Sequence, residues 1–266
     1  MRDGRNRTLG ERLADYPKVT LSGLDILNIT ETECVAFVAD AAADGVGGWL
    51  LTPNLDIVRK CSVDPDILQI CQRADLRVAD GMPLVWASRL QGTPLPERVS
   101  GSNLIEPIAR ACAERGLRVF LLGGAPGVVE RTREAMRETI PDLEIADVYC
   151  PPFGFDSDDA ELARIARTVR ESRADLVFVA LSFPKGERLI ERLRPELPDA
   201  WWIGVGISFS FVSGDVRRAP VWMQKSGTEW LFRLSQEPGR LARRYLVEDL
   251  PFSGRLFASA LRHRFR

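Results

Sequence analysis

The regular alternation of short apolar runs with amphipathic segments constrains this chain more than any other feature. Strand-like runs stand at 19–27, 48–52, 76–79, 118–123, 143–149, 175–182 and 201–206. Segments with helical spacing of apolar residues lie between them at 31–43, 64–73, 83–91, 102–115, 127–139, 158–172 and 185–194. Strands separated by helices of this length read as βαβ units. The prediction is therefore an α/β fold, a mostly parallel sheet covered by helices on both faces. Several runs end in glycine or a small polar residue: "LLTPN", "VADG", "LLGGAPG", "VALSFPKG" and "IGVGIS". In an open parallel sheet the ligand crevice lies beyond the carboxyl ends of the strands, so these five loops are expected to face one site.

The rhythm stops after Gly206. The remainder of the chain reads as helical, with breaks expected near Gly227, Pro238 and Pro251. The predicted organisation is a polar, flexible leader over 1–17, an α/β body over 18–206 and a helical C-terminal appendage over 207–266. The net charge of −1 conceals an asymmetry: from Arg217 onward 11 Lys/Arg face 4 Asp/Glu, a local +7, which leaves −8 on the rest. Only the appendage is a candidate for an anionic surface, and its mixture of Trp, Leu, Phe and Tyr with arginine suits either a helix pair docked on the body or an interfacial segment on anionic lipid. No run approaches the length of a membrane span, and the leader lacks an apolar export core. The cytoplasm is the expected compartment, and no nucleic-acid partner is expected.

Residue usage removes several chemistries. The single histidine, His263, is the fourth residue from the end, which argues against Ser-His-Asp and Cys-His catalysis. Five scattered cysteines form no CxxC pair, so neither a disulfide framework nor a zinc site is expected. No DxD pair stands out as a metal–diphosphate clamp, and "DSDD" at 156–159 reads as a helix cap. If phosphates are handled here, arginines and backbone amides handle them.

The remaining motifs each have two readings. "FLLGGAPGVVERTREAM" (120–136) is strand, glycine-rich turn and helix. It either offers backbone N–H groups to a phosphate, through Gly123 and Gly124, or is a tight turn with no ligand. It lacks the spacing of a dinucleotide fingerprint and the Gly-Lys-Ser/Thr of a P-loop. Asp80, at the end of an apolar strand, is either a turn or cap residue or a general base aimed into the crevice. Arg98 is either a surface charge or a phosphate contact. Thr52 and Asn54 are either ligand hydrogen-bonders or the cap of a following helix.

Taken in order, "LLTPN", "RVADGMPLVWASRLQGTPLPERVSGSNL", "VFLLGGAPGV", "PKGE" and "GVGISFSFVSGDVRRAPVWMQKSGTEWLFRLSQEPGRLARRYL" resemble the WecG/TagA/CpsF glycosyltransferases over residues 19–250. The resemblance implies a Rossmann-like body with a C-terminal appendage that helps membrane association and completes the active site. It implies inverting, metal-independent transfer from a UDP-sugar, with N-acetylmannosamine types favoured, to a polyprenyl-diphosphate-linked sugar in surface polysaccharide or cell-wall glycopolymer synthesis. No cofactor is implied, since the UDP-sugar is a substrate; self-association is. Carried over residue by residue, Asp80 becomes the catalytic base, Thr52 and Asn54 lie near the donor, and Arg98 contacts phosphate. Arg217 and Arg218 approach the diphosphate, and Pro184, Lys185 and Glu187 belong to the donor site. Three positions depart from the family pattern: Gly186 replaces a usual glutamine, while Ser210 and Asn103 each stand where an aspartate is common. These departures bear on donor identity and leave the reaction class unchanged.

Overall fold

A computed structural model describes residues 7–265. Six strands form one parallel sheet: β3 (Gly48–Leu51), β4 (Leu76–Arg77), β5 (Arg118–Gly123), β6 (Glu144–Tyr149), β7 (Leu176–Ala180) and β8 (Trp201–Gly204). Their order is β4-β3-β8-β7-β5-β6, and every neighbouring pair is parallel. The chain runs outward from β3 to β4, crosses to β5, runs outward again to β6, and returns through β7 to the central β8. The carboxyl ends of β3 and β8 therefore lie where the strand order reverses, the place at which open α/β sheets hold ligands.

One predicted strand is a different structure. The run 19–27 is a hairpin of β1 (Lys18–Leu21) and β2 (Leu24–Leu27), antiparallel and outside the main sheet. Ser22 and Gly23 both have positive φ, 50° and 83°. A two-residue turn of that hand matches the twist of the flanking strands and folds the run back on itself.

Alternate residues of the buried strands feed two cores, as a parallel sheet covered on both faces requires. Trp49, Leu51, Phe120, Leu122, Val177, Val179 and Trp202 point to one face. Leu50, Val119, Leu121, Leu176, Phe178, Trp201 and Ile203 point to the other. The first core is closed by the hairpin and by α4 (Pro65–Arg73), α5 (Met82–Gln91), α8 (Asp159–Ser172) and α9 (Lys185–Leu193). The second is closed by α2 (Glu31–Ala43), α6 (Gly101–Glu114) and α7 (Val128–Thr139). Of the leader expected over 1–17, residues 1–6 lie outside the described residues, and the rest carries α1 (Leu9–Leu13), which starts in a Thr8–Glu11 capping box and buries Leu13. Asp158 caps α8, as the "DSDD" run suggested.

A further helix, α3 (Leu55–Cys61), is absent from the apolar pattern; at seven residues it is too short to show a period. After β8 come α10 (Ser208–Val212), α11 (Val221–Ser226), α12 (Glu229–Gln236) and α13 (Pro238–Ala242), then a π-helical stretch over Arg243–Asp249 that continues into α14 (Leu250–Arg264). Gly227 ends α11 and Pro238 opens α13, both near expected breaks. The break expected at Pro251 is absent. Pro251 lies in the first turn of α14, directly after the wider π turn, where its missing N–H and its ring disturb the ladder least. The last helix is docked: Phe252, Leu256 and Ala260 are buried in the first core, against α5.

Candidate active site

Of the five loops expected to face one site, those after β3, β4 and β8 meet. Beyond β4 the ladder continues past the strand itself: Val78 N–H donates to Leu51 O (3.1 Å) and Asp80 N–H to Pro53 O (2.9 Å). The β4 loop and the Thr52–Asn54 loop are thereby held side by side. Gly81 then takes φ 141°, a backbone angle that other residues rarely adopt, and α5 starts at Met82 with Pro83 in its first turn. The carboxylate of Asp80 is thus carried on a fixed bend at the end of the sheet.

Asp80 is half-buried, and burial, aided by Glu229, pushes its carboxyl up to about 6 against the pull of Arg98, Arg233 and Arg218. Each neighbour has a structural reason to be there. Arg98 lies two residues before the Ser100 cap of α6, on a loop tied back by Val99 N–H to Ala79 O (2.9 Å). Arg218 precedes α11 and donates to Ser102 O (3.3 Å), Ser102 Oγ (2.9 Å) and Asn103 Oδ1. Glu229 and Arg233 stand one turn apart on α12. Glu229 joins the two guanidinium groups: Oε2 accepts from Arg98 Nη1 at 2.9 Å, and Oε1 is 3.8 Å from Arg218 Nε. The result is a compact group of two carboxylates and three guanidiniums at the mouth of the crevice.

The other predicted residues divide. Thr52 is buried beside the start of α6, where a side chain at Gly101 would come within 3.1 Å of Thr52 Oγ1 and 3.2 Å of Gly204 O. Glu187 lies on the far side of the same strand end, with Oε1 3.2 Å from where a Cβ on Gly204 would sit. It is 6% exposed, its Oε2 has no hydrogen-bond partner among the described residues, and burial pushes its carboxyl up to about 7 despite a backbone hydrogen bond and nearby Lys60. Asn54 caps α3, accepting from Ile57 N–H at 3.1 Å, and Arg244 Nη2 approaches the same oxygen at 3.5 Å. Its carboxamide oxygen is therefore engaged locally. In the glycine-rich turn Gly124 N–H donates to Ala180 O at 2.8 Å, which commits that amide to the β5–β7 pair; Gly123, beside it, closes β5.

Two predicted residues stand apart from the cluster. Lys185 is exposed and paired with Asp156 at 2.9 Å, on the loop before α8. Arg217 has an exposed side chain, and only its carbonyl is engaged, by Gln236 at 3.2 Å. Pro184 precedes α9 as its N-cap residue. Asn103 has a local explanation for its amide: Nδ2 donates to Glu31 at 2.9 Å while Oδ1 accepts from Arg218, a pairing a carboxylate could not make. At Gly186 an added Cβ would meet Leu181 only at ordinary contact, 3.4 Å, so nothing in the packing demands glycine there. Ser210 stands on α10.

Glu229, Arg233 and Arg244 join the site without having been expected there. A signal existed for the first: Glu229 is the only acid between Arg217 and Gln236 in an otherwise basic stretch. Among the described residues, no helix is long and apolar enough to cross a membrane.

A family model described as Glycosyl transferase WecG/TagA/CpsF matches residues 19–266. The chain is 31% identical over 221 residues to an N-acetylglucosaminyldiphosphoundecaprenol N-acetyl-beta-D-mannosaminyltransferase of Bacillus spizizenii, covering 82% of this chain and 84% of the relative. It is 28% identical over 225 residues to a protein of the same name from Bacillus subtilis, covering 84% and 86%.

Proposed function

The chain belongs to the WecG/TagA/CpsF family of glycosyl transferases, and on that premise we propose that it moves a sugar of the N-acetylmannosamine type from a UDP-sugar to a polyprenyl-diphosphate-linked sugar. The activity for which the two Bacillus relatives are named supports this donor sugar and this acceptor. The transfer is one displacement with inversion. The acceptor hydroxyl attacks the anomeric carbon, Asp80 takes its proton, and the bond from that carbon to UDP breaks with the electron pair leaving on the diphosphate. A single base on the acceptor side suffices for that geometry, and the leaving charge must be met by fixed cations or dipoles. Arg98 and Arg218 supply the cations, so no metal is called on.

The observation that carries the proposal is the placement of Asp80: at the carboxyl end of the sheet, half-buried, with its carboxyl at about 6 and three guanidinium groups around it. Such a group is ionised at pH 7 yet is a stronger base than an exposed aspartate. Thr52 and Glu187 line the adjoining floor on either side of Gly204 and are assigned to the donor sugar.

On the same reading the protein works peripherally on the cytoplasmic face of the cell membrane, through residues 207–266. Val221, Trp222, Leu246, Val247 and Leu250 are exposed there, and Arg217 and Arg243 are exposed beside them. Apolar side chains with interspersed arginine suit an anionic lipid interface. The same surface supports self-association.

The test is UDP release from a panel of UDP-sugars, with a short polyprenyl-diphosphate-GlcNAc acceptor and chelator throughout. Acceptor-dependent release from the N-acetylmannosamine donor is expected, and Asp80→Asn should abolish it while leaving UDP binding largely intact. Near-wild-type turnover in Asp80→Asn would refute the base assignment.

A further inference from the structure

Within the reading of Asp80 as the base, one acidic residue of the cluster has no part so far. We propose that Glu229 is a positioning residue for the transfer: it clasps Arg98 and Arg218 together beside Asp80 and fixes the charge against which that carboxylate works.

The geometry carries the assignment. Arg98 and Arg218 come from separate loops, and their guanidinium groups repel one another. The carboxylate of Glu229 divides between them, Oε2 to Arg98 Nη1 at 2.9 Å and Oε1 toward Arg218 Nε at 3.8 Å. Among the described residues no hydrogen-bond partner satisfies Arg218 Nε, which is buried, and this carboxylate is its nearest compensating charge. The side chains of Arg98 and Glu229 are only 13% and 15% exposed, so water screens the contact weakly. An acid at the start of a helix is ordinarily explained by the helix dipole. That explanation does not account for a bond to a residue 131 positions earlier, nor for the second arginine.

The charged groups facing Asp80 are Arg98 from the loop before α6, Arg218 from the segment before α11, and Glu229 and Arg233 from α12. Glu229 alone among them is negative. Without its charge three cations would act on Asp80 unopposed, and its proton affinity would fall. Glu229 thus serves two needs that conflict: it keeps the arginines close enough to meet a diphosphate, and it keeps them from turning Asp80 into a weak base.

The experiment is a carbon-13 carboxyl titration of Asp80 by NMR in the wild type, Glu229→Gln and Glu229→Asp, run beside turnover measurements. Glu229→Gln removes the charge and keeps the shape; Glu229→Asp keeps the charge. The expected result is a downward shift of the Asp80 titration by about half a unit or more in Glu229→Gln. A loss of about tenfold in kcat should accompany it, and Glu229→Asp should stay near the wild type in both. An Asp80 titration that does not move in Glu229→Gln, or moves equally in Glu229→Asp, would overturn the assignment. The titration needs no turnover, so it is independent of the base reading, whose own failure would be activity retained by Asp80→Asn.

Discussion

Glu187 is the group whose replacement should raise stability, by an amount that grows as pH rises from about 4.5 to about 7 and is constant above. It is 6% exposed, Oε2 lacks a partner among the described residues, and burial lifts its carboxyl from an ordinary value near 4.5 to about 7. Between those two values the folded chain holds a proton that the unfolded chain has released. The stability contributed by the neutral acid is therefore present below about pH 4.5 and is lost as pH rises through about 7. At about 1.4 kcal/mol per unit, a difference of two to three units amounts to roughly 3 kcal/mol at pH 8. Glu187→Gln has nearly the same shape and cannot ionise. It should lie within about 1 kcal/mol of the wild type at pH 5 and exceed it by about 2–3 kcal/mol at pH 8. Urea unfolding of both proteins at the two pH values reads this directly, since unchanged slopes make the midpoints comparable. A stability difference that is the same at pH 5 and pH 8 would refute the reasoning, because it would mean that Glu187 titrates alike in the folded and unfolded chains. Turnover should move the other way, with Glu187→Gln raising KM for the donor if the carboxyl touches its sugar.

Three further outcomes are expected. The pH profile of kcat/KM should lose activity as pH falls through about 6, where Asp80 takes up its proton, and an acidic limb near pH 4 instead would show that burial does not act on it in the working enzyme. Gly227→Ala should destabilise the fold by about 1–3 kcal/mol, because Gly227 has φ 75° and its Cβ would fall within 2.8 Å of both Met82 Cβ and Cγ; since Glu229 lies two residues on, kcat should fall further than the melting temperature suggests, and wild-type kinetics would disprove the link. The pair Trp222→Glu and Val247→Glu should reduce sedimentation with anionic vesicles while leaving the melting temperature within a few degrees, both residues being about two-thirds exposed; undiminished sedimentation would refute a membrane contact through this surface.

The parallel sheet was legible because its strands are buried on both faces and read as unbroken apolar runs, as in β7, where all five residues are buried. Asp80 was legible for a related reason: it directly follows the short strand-like run 76–79, which places its carboxylate at a strand end. What escaped detection was local or long-range. The hairpin at 18–27 was hidden by apolar residues on both sides of Ser22–Gly23, so the turn looked like part of a strand. The α3 helix was too short to show a period, and its cap, Asn54, was indistinguishable from a ligand contact in "TPN". Arg217 and Arg218 are neighbours of the same type, and only the three-dimensional path of the chain decides that Arg218 enters the cluster while Arg217 faces out. Glu229 meets Arg98 across 131 residues, a distance no local pattern encodes.

The boundary expected after residue 206 divides the chain by rhythm, but the charges do not respect it. A second ionic group repeats what the Glu229 clasp does on the other side of the crevice. Arg59 on α3 bonds Asp56 (2.6 Å), Glu248 (2.8 Å) and Asp249 (3.2 Å), and Arg244 lies 3.5 Å from both Asp56 and Asp249. Burial works against the ionised form of Asp56, yet Arg244, Lys60 and Arg59 together hold its carboxyl below the usual range. Asp249, buried and facing Asp56, is pushed up. Ion pairs this buried add little net stability over apolar contacts, but they are costly to leave half-made, so they favour one registry between the elements they join. Here that registry is between α3, whose cap is Asn54, and the π-helical stretch that carries Arg244. The segment from Arg217 to Asp249 therefore sets the position of two loops of the site at once, the Asn54 loop through Arg244 and the Arg98 loop through Glu229. A contact that shifts its exposed Trp222, Leu246 or Val247 therefore acts on the same segment that holds Arg244 against Asn54 and Glu229 against Arg98 beside Asp80.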